Sequence, residues 1–319
     1  MKIAVTGGAG FIGSHIVDAL VDAGNEVLII DDLSTGKEDN INPKAAFEQC
    51  DIQDEAAVDR LFARFRPEIV DHHAAQIDIR KSVADPAFDA RVNVVGSIVL
   101  LKTAAKHGVK GFIFASTGGA IYGETPVAAR EESPKSPISP YGAAKASVEH
   151  YLYVYGRTYG LPTAALRYGN VYGPRQDPRG EAGVISIFAE KLLAGERPTI
   201  FGTGEQVRDY VYVGDVAAAN LLAIDHLRRN PAACVIPDEG AFNIGTGTST
   251  SVNDLHRLLA EAAGGPKEAI HGDARPGELM ESRLDVTRAR ETLGFSAGVD
   301  LKRGIRSVVD WLKGMKAEG

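Results

Sequence analysis

The sequence predicts an α/β protein: a doubly wound parallel sheet followed by a smaller C-terminal α/β lobe. Three observations predict it. Short β-rich apolar runs alternate with helix-length stretches through the first half, and a glycine-rich turn joins the first run to the first helix. Near Gly173 the alternation gives way to shorter pieces rich in glycine and proline. Strands and helices alternating at this length imply parallel pairing with helices on both faces of the sheet.

Taken in order, the first strand occupies 2–6, the turn 7–13, the first helix 14–23 and the second strand 26–31. Further strands are predicted over 68–73, 110–116 and 163–168, with helices over 55–65, 92–107 and 141–159. Glycine and proline then crowd 173–183, and two more glycines lie within 197–204. Ser251-Val252-Asn253-Asp254 resembles a capping box opening a helix over 255–263. The expected division is a sheet domain over 1–173, to which some later segments return, and a second lobe over most of 174–319.

Composition narrows the function classes. The chain has 319 residues, 44% hydrophobic and 24% charged, enough for a sizeable core under a wet surface. A net charge of -7 argues against nucleic acid or an anionic membrane as partner, but not against a small anionic ligand met by local arginines. Cys50 and Cys234 are the only cysteines, so neither a disulfide framework nor a zinc cluster is expected, and a reducing compartment is. The first strand starts too close to Met1 for a signal peptide, and apolar runs such as 27–30 are too short to span a bilayer. A soluble, cytoplasmic protein without a metal is the expectation.

The strongest local signal is Thr6-Gly7-Gly8-Ala9-Gly10-Phe11-Ile12-Gly13. Gly7, Gly10 and Gly13 follow a strand and open a helix, the context of a Rossmann-type dinucleotide turn. Glycine lets the backbone approach a pyrophosphate, which the N–H groups at the helix start (Phe11, Ile12) would bind. Asp31 ends the second strand, where a carboxylate accepts hydrogen bonds from the adenosine ribose and repels a 2′-phosphate, so NAD is expected over NADP. Asp51, with Ile52, follows a third strand as a weaker adenine-side candidate.

Tyr141 and Lys145 stand at i and i+4 on a predicted helix and share one face. A tyrosine of reference pKa about 10 is a poor base at neutral pH, and a nearby ammonium favours its phenolate. Lowering that pKa by about three units takes roughly 4 kcal/mol, within reach of a lysine and a cationic nicotinamide together. Upstream, Ser116 and Thr117 end a strand at the edge where open α/β sheets bind ligands, so either hydroxyl is a candidate to hydrogen-bond a reacting oxygen.

These pieces, with Asp32, Leu33-Ser34-Thr35-Gly36, His73-Ala74-Ala75-Gln76, Asn93 and Arg167-Tyr168-Gly169-Asn170, resemble the extended short-chain dehydrogenase/reductase family. The resemblance runs nearly end to end and is closest to the UDP-glucose 4-epimerase branch. Later pieces carry it too: Val207-Arg208-Asp209-Tyr210, Phe242-Asn243-Ile244-Gly245 and Arg275-Pro276-Gly277-Glu278. It implies NAD contacts from Asp32, Ser34, Thr35, Gly36, His73, Ala74, Ala75, Gln76 and Asn93, with Tyr168 against the nicotinamide. It also implies a UDP-sugar held by Asn170, Arg208, Tyr210, Arg275 and Glu278, with Thr117 and Tyr141 at the sugar. Two arginines are forked, permanent cations suited to a diphosphate. The chemistry implied is epimerisation at C4 through a 4-keto sugar.

The sequence departs from the family pattern where many epimerases carry a catalytic serine, a position that counting back from Tyr122 assigns to Gly118. Dehydratases carry an Asp-Glu pair after their threonine, where this chain has Gly118 and Gly119. A decarboxylase, or a non-catalytic NAD-binding regulator on the same fold, is the further alternative; such regulators often lack the tyrosine and lysine. Ser282 aligns with a bulky tyrosine that narrows the sugar pocket in some epimerases, so room for N-acetylated sugars is expected. A homodimer is implied through the helices over 92–107 and 141–159, with Val95, Val99, Ala104, Val148 and Leu152 compatible with an interface.

Overall fold

Strand β1 (Lys2–Thr6), helix α1 (Phe11–Asp22) and strand β2 (Glu26–Asp31) form the first β–α–β unit of the computed structural model. The structure describes residues 1–125, 127–178, 183–230, 238–275 and 279–318. α1 begins at Phe11 rather than at 14, because Gly10 caps it and Gly13 lies within its first turn. The chain continues through β3 (Ala46–Gln49), α2 (Glu55–Phe65), β4 (Ile69–His72), α3 (Ile79–Ala84), α4 (Pro86–Ala90) and α5 (Gly96–Lys106). A short π-helical turn over Arg91–Val95 leads into α5, so the helix predicted over 92–107 is two pieces. Next come β5 (Gly111–Thr117), α6 (Gly118–Ile121), α7 (Pro140–Tyr159) and β6 (Thr163–Tyr168).

α7 shows how local chemistry sets an element. Ser139 caps it by accepting from the Gly142 N–H at 3.1 Å, Pro140 occupies its first turn, and Gly160 ends it in the left-handed conformation. The helix therefore starts one residue before Tyr141 and places the tyrosine and Lys145 in its first two turns.

The chain goes on through β7 (Asn170–Tyr172), α8 (Val184–Leu193), β8 (Thr199–Phe201), β9 (Val207–Arg208) and β10 (Tyr210–Tyr212). α9 (Val213–Arg229) packs on the main sheet and β11 (Ala241–Ile244) joins it beside β6, before β12 (Thr250–Ser251), α10 (Val252–Ala263), β13 (Ile270–Gly272), β14 (Glu281–Ser282) and α11 (Leu301–Glu318). The main sheet has seven strands in the order β11-β6-β5-β4-β1-β2-β3, every pair parallel. Its strands bury apolar side chains on both faces, as a sheet covered on both sides requires. One face packs Ile3, Val5, Ile113 and Leu166 against α1 and α9; the other packs Ala4, Val70, Phe112 and Phe114 against α2, α5 and α7. A separate core joins Tyr172, Ile200 and Tyr210 to α8, α10 and α11. Among the described residues no helix is long and apolar enough to cross a membrane.

Candidate active site

The glycine turn is sterically obligatory at two points. Gly7 has φ +69° and lies so close to the next chain crossing that a Cβ there would sit 2.5 Å from the Ala74 nitrogen. A Cβ on Gly13 would stand 2.2 Å from the Gly7 carbonyl oxygen. The turn is thus folded onto α1, whose first N–H groups, with no intrahelical acceptor, have no capping side chain either. That cradle fits a dinucleotide pyrophosphate.

Asp31 lies at the mouth, buried, and already holds the turn: Oδ2 accepts from the Ala9 N–H at 3.0 Å and Oδ1 from the Leu33 N–H at 2.9 Å. Burial pushes its carboxyl up, against these two hydrogen bonds. Each carboxylate oxygen accepts more than one bond, so ribose hydroxyls fit as further donors. Asp32 is exposed and accepts from the Ser34 N–H at 2.9 Å; Ser34 and Thr35 are exposed, and Gly36 packs where a Cβ would meet Asp31 Oδ1 at 2.7 Å. Asp51 is exposed and turned to the Gln53 N–H at 2.8 Å, while Ile52 is buried beside Gly96.

Beneath the turn, Gln76 and Asn93 are cross-bonded rather than open to a ligand. Asn93 Oδ1 accepts from the Gln76 N–H at 2.9 Å, and its Nδ2 donates to the Gln76 carbonyl at 2.8 Å and to Asp89 Oδ1 at 3.0 Å. Gln76 Nε2 also donates to Asp89 Oδ1, at 2.9 Å. His73 bonds Asp71 through Nε2 at 2.8 Å, and Ala74 donates its N–H to Thr6 Oγ1 at 3.3 Å; Ala75 is half-buried beside it. Tyr168 ends β6 with its ring buried, stacked on His73 at 6.2 Å and bonded to Asn220 of α9 at 3.1 Å.

Lys145 is buried and donates to the Ala115 carbonyl at 2.8 Å, with Nζ 5.8 Å from the Tyr141 ring centre. Burial lowers its pKa to about 8, against the pull of Asp89 and Glu149. Tyr141 is half-buried, its backbone N–H reaching Ser82 Oγ at 3.4 Å. The two candidate hydroxyls separate cleanly. Ser116 donates to Glu149 Oε1 at 2.6 Å inside the core, which removes it as the catalytic hydroxyl. A point one Cβ above Gly119 lies 3.9 Å from Thr117 Oγ1 and 3.6 Å from Asn170 Oδ1. Gly118 instead abuts Leu284, 2.6 Å from where a Cβ would stand, so a serine does not fit there without moving that leucine.

Asn170, Arg208, Tyr210 and Arg275 line one cavity of about 330 Å³, together with Lys191 and Phe201. The Arg275 guanidinium lies 3.9 Å over the Phe201 ring, and Arg208 donates to the Val207 carbonyl at 2.9 Å. Glu278 lies outside the described residues. Lys191 of α8 and Phe201 of β8 carry no motif that marks them in the sequence. Ser282 pairs with Arg208 across β14 and β9 and is buried. A larger cavity of about 550 Å³, lined by Glu68, Lys110, Pro162 and Leu227, lies at the opposite, N-terminal ends of the strands and contains none of these groups. Of the five expected interface positions, Val99, Ala104, Val148 and Leu152 are core residues; Val95 is exposed, as are Tyr151 and Val154 on α7.

Residues 3–245 match the NAD dependent epimerase/dehydratase family. The chain belongs to that family. It is similar to the UDP-glucose 4-epimerase of Thermotoga maritima, solved with UDP-glucose: 50% identical, TM-score 0.94, covering 99% of this chain and 100% of that one. The UDP-glucose 4-epimerase of Thermus thermophilus, in complex with NAD, is 46% identical with TM-score 0.90, over 98% and 99% of the two chains. A UDP-N-acetylglucosamine 4-epimerase from Methanobrevibacter ruminantium is 36% identical with TM-score 0.89, over 98% of each.

Proposed function

We propose that this chain interconverts UDP-glucose and UDP-galactose by NAD-dependent epimerisation at C4. The observation that carries the reading is the junction above Gly119: one point lies within 4 Å of both the Thr117 hydroxyl and the Asn170 amide, linking the catalytic strand end to the arginine-lined cavity. When bound, NAD supplies the reversible oxidation and reduction at C4, giving a 4-keto sugar between the two epimers. The protein's part is proton transfer and positioning. Tyr141 accepts the proton of the sugar's 4-hydroxyl and later returns it; the Lys145 ammonium favours its phenolate. Thr117 hydrogen-bonds the same oxygen. Arg208 and Arg275 hold the diphosphate while the sugar turns to present its other face. Gly118 and Gly119 carry no proton for eliminating water, which favours epimerisation over dehydration.

The division near Gly173, the homodimer and a cytoplasmic setting belong to the same reading. Val95, just before α5, and Tyr151 and Val154 on α7 are exposed apolar residues, which supports a pairing through these helices. Ser282, small and beside Arg208, supports acceptance of N-acetylated sugars. The test is to incubate purified protein with UDP-glucose and follow the anomeric signals by NMR. Approach to a UDP-glucose/UDP-galactose mixture is expected, and an unchanged spectrum with NAD present would overturn the reading. A parallel UDP-GlcNAc sample without turnover would retire the N-acetyl extension alone.

A further inference from the structure

The catalytic helix is tied to the sheet by a buried polar cluster that the mechanism above does not use. Glu149 follows Tyr141 by two helical turns and Lys145 by one, on the same side of α7. Its Oε1 accepts from Ser116 Oγ at 2.6 Å and from Arg167 Nε at 2.9 Å, and its Oε2 from Arg167 Nη2 at 2.6 Å. The fork is bidentate, the geometry in which an arginine–carboxylate pair is most directional. Arg167, fully buried on β6, spends its remaining donors on the Tyr122 hydroxyl at 2.7 Å, the Glu131 carbonyl at 2.8 Å and Asp238 Oδ1 at 2.5 Å. Tyr122 in turn donates to Asn243 on β11 at 2.7 Å. One guanidinium thus gathers α7, the ends of β5, β6 and β11, and the loop after α6.

Buried ion pairs of this kind add little net stability, because desolvating two charges offsets much of their attraction. An apolar pair would hold β6 to α7 as well, but it could not set the direction of a hydroxyl. Ser116 immediately precedes Thr117, so fixing Ser116 toward α7 sets where Thr117 stands relative to Tyr141.

We propose that Glu149, clamped by Arg167, is a positioning residue for the epimerisation: through Ser116 it registers the Thr117 end of β5 against the Tyr141 and Lys145 face of α7. This rests on the epimerase reading. Proton transfer demands heavy-atom distances set to a few tenths of an ångström, and a misplacement of about 1 Å costs on the order of 100-fold in rate. Glu149 also faces Lys145, whose proton affinity it raises together with Asp89. Arg167, Lys145, Tyr122, Asp238 and Glu131 are the titratable groups around this cluster.

The test compares wild type, Glu149→Gln and Ser116→Ala, measuring kcat, KM for UDP-glucose, the pH profile and the melting temperature. For Glu149→Gln, kcat should fall about 10- to 100-fold with KM within about twofold, as for a loss of transition-state geometry. The alkaline limb of its profile should also move to lower pH, because Lys145 loses one of two negative neighbours. Ser116→Ala, which spares the ion pair, should lose about five- to tenfold in kcat with the alkaline limb unmoved. A lower melting temperature with kcat per folded molecule and pH profile unchanged would make the cluster merely structural and overturn the proposal. If Glu149→Gln does not fold, Ser116→Ala decides: an unchanged kcat overturns, a lowered kcat at unchanged KM supports. Wild type leaving UDP-glucose untouched would overturn the epimerase reading itself, a different result from active wild type with indifferent variants.

Discussion

Replacing Lys145 with methionine should abolish most activity and yet stabilise the cofactor-free protein at neutral pH. Methionine keeps an unbranched stem but ends one atom short of Nζ, so it loses the charge together with the contact that Nζ makes 4.6 Å over the Phe114 ring. Burial holds the ammonium at about 8 against an ordinary 10.5. The difference, 10.5 minus 8, is about 2.5 units and corresponds to roughly 3 kcal/mol of destabilisation in the folded state. Its pH dependence has a definite sign. The folded value lies below the unfolded one, so the cost is full below about pH 8, where both states hold the proton. Between about 8 and 10.5 the folded state has released its proton while the unfolded state retains it, so the cost shrinks, and above 10.5 it is gone.

Against this gain stands the bond to the Ala115 carbonyl at 2.8 Å, whose loss costs about 1 kcal/mol. The net expectation for Lys145→Met is a gain of about 2 kcal/mol at pH 7 and none near pH 10. Thermal melts of cofactor-free protein at both pH values provide the check, since a bound ligand would raise wild type by mass action and mask the effect. Epimerase activity should fall by about 1,000-fold, within the range of lost acid–base catalysis. A variant that melts below wild type at pH 7, or a gain that persists to pH 10, would refute the view that this lysine is kept charged at a cost to stability.

Tyr141→Phe should retain UDP binding while kcat drops by about 1,000- to 10,000-fold, seen by isothermal titration beside the turnover assay. Gly13→Ala forces a Cβ to within 2.2 Å of the Gly7 carbonyl, so the variant should purify without NAD and lose about 1–3 kcal/mol of stability by urea unfolding. Arg208→Ala and Arg275→Ala should each weaken UDP binding by about 10- to 100-fold, as for a lost charge-assisted bond, and the loss should fall in high salt for whichever is the more exposed.

What could be read from the sequence was what is decided locally. Strands 2–6, 26–31 and 163–168 stand where predicted, because a strand buried on both faces is a continuous apolar run. The Gly7 and Gly13 requirements come from one tight turn, and the Tyr141–Lys145 spacing from one helix face. The return of β11 to the sheet edge beside β6 was foreseen only as a segment of unstated position, since four residues are too short for periodicity to mark. Glu149 and Asp89 had no local mark at all, and Arg167 stood in the Arg167-Tyr168-Gly169-Asn170 piece without any partner assigned to it: Glu149 meets Ser116 across 33 positions, and Arg167 meets Asp238 across 71.

The choice between Ser116 and Thr117 shows what was missing and how little would have sufficed. Successive side chains on a strand point to opposite faces. Phe112 and Phe114 pack on the side of α7, whereas Ile113 and Ala115 pack on the side of α1 and α9. Carried forward, that parity sends Ser116 to α7 and into the Glu149 cluster, and leaves Thr117 on the other parity at the strand's end. The alternation is written in the sequence. Which parity belongs to the helix bearing Tyr141 is not, because it depends on which side of the sheet the crossover from β5 to β6 takes. With that one fact added, Ser116 goes to the Glu149 cluster and Thr117 is left as the candidate hydroxyl. The same parity predicts that exchanging the two residues, Ser116→Thr with Thr117→Ser, leaves the polarity of each face intact. A double exchange that keeps activity within about tenfold would agree with a site set by direction; the cost is that of crowding one methyl into the buried face, about 1–3 kcal/mol of stability.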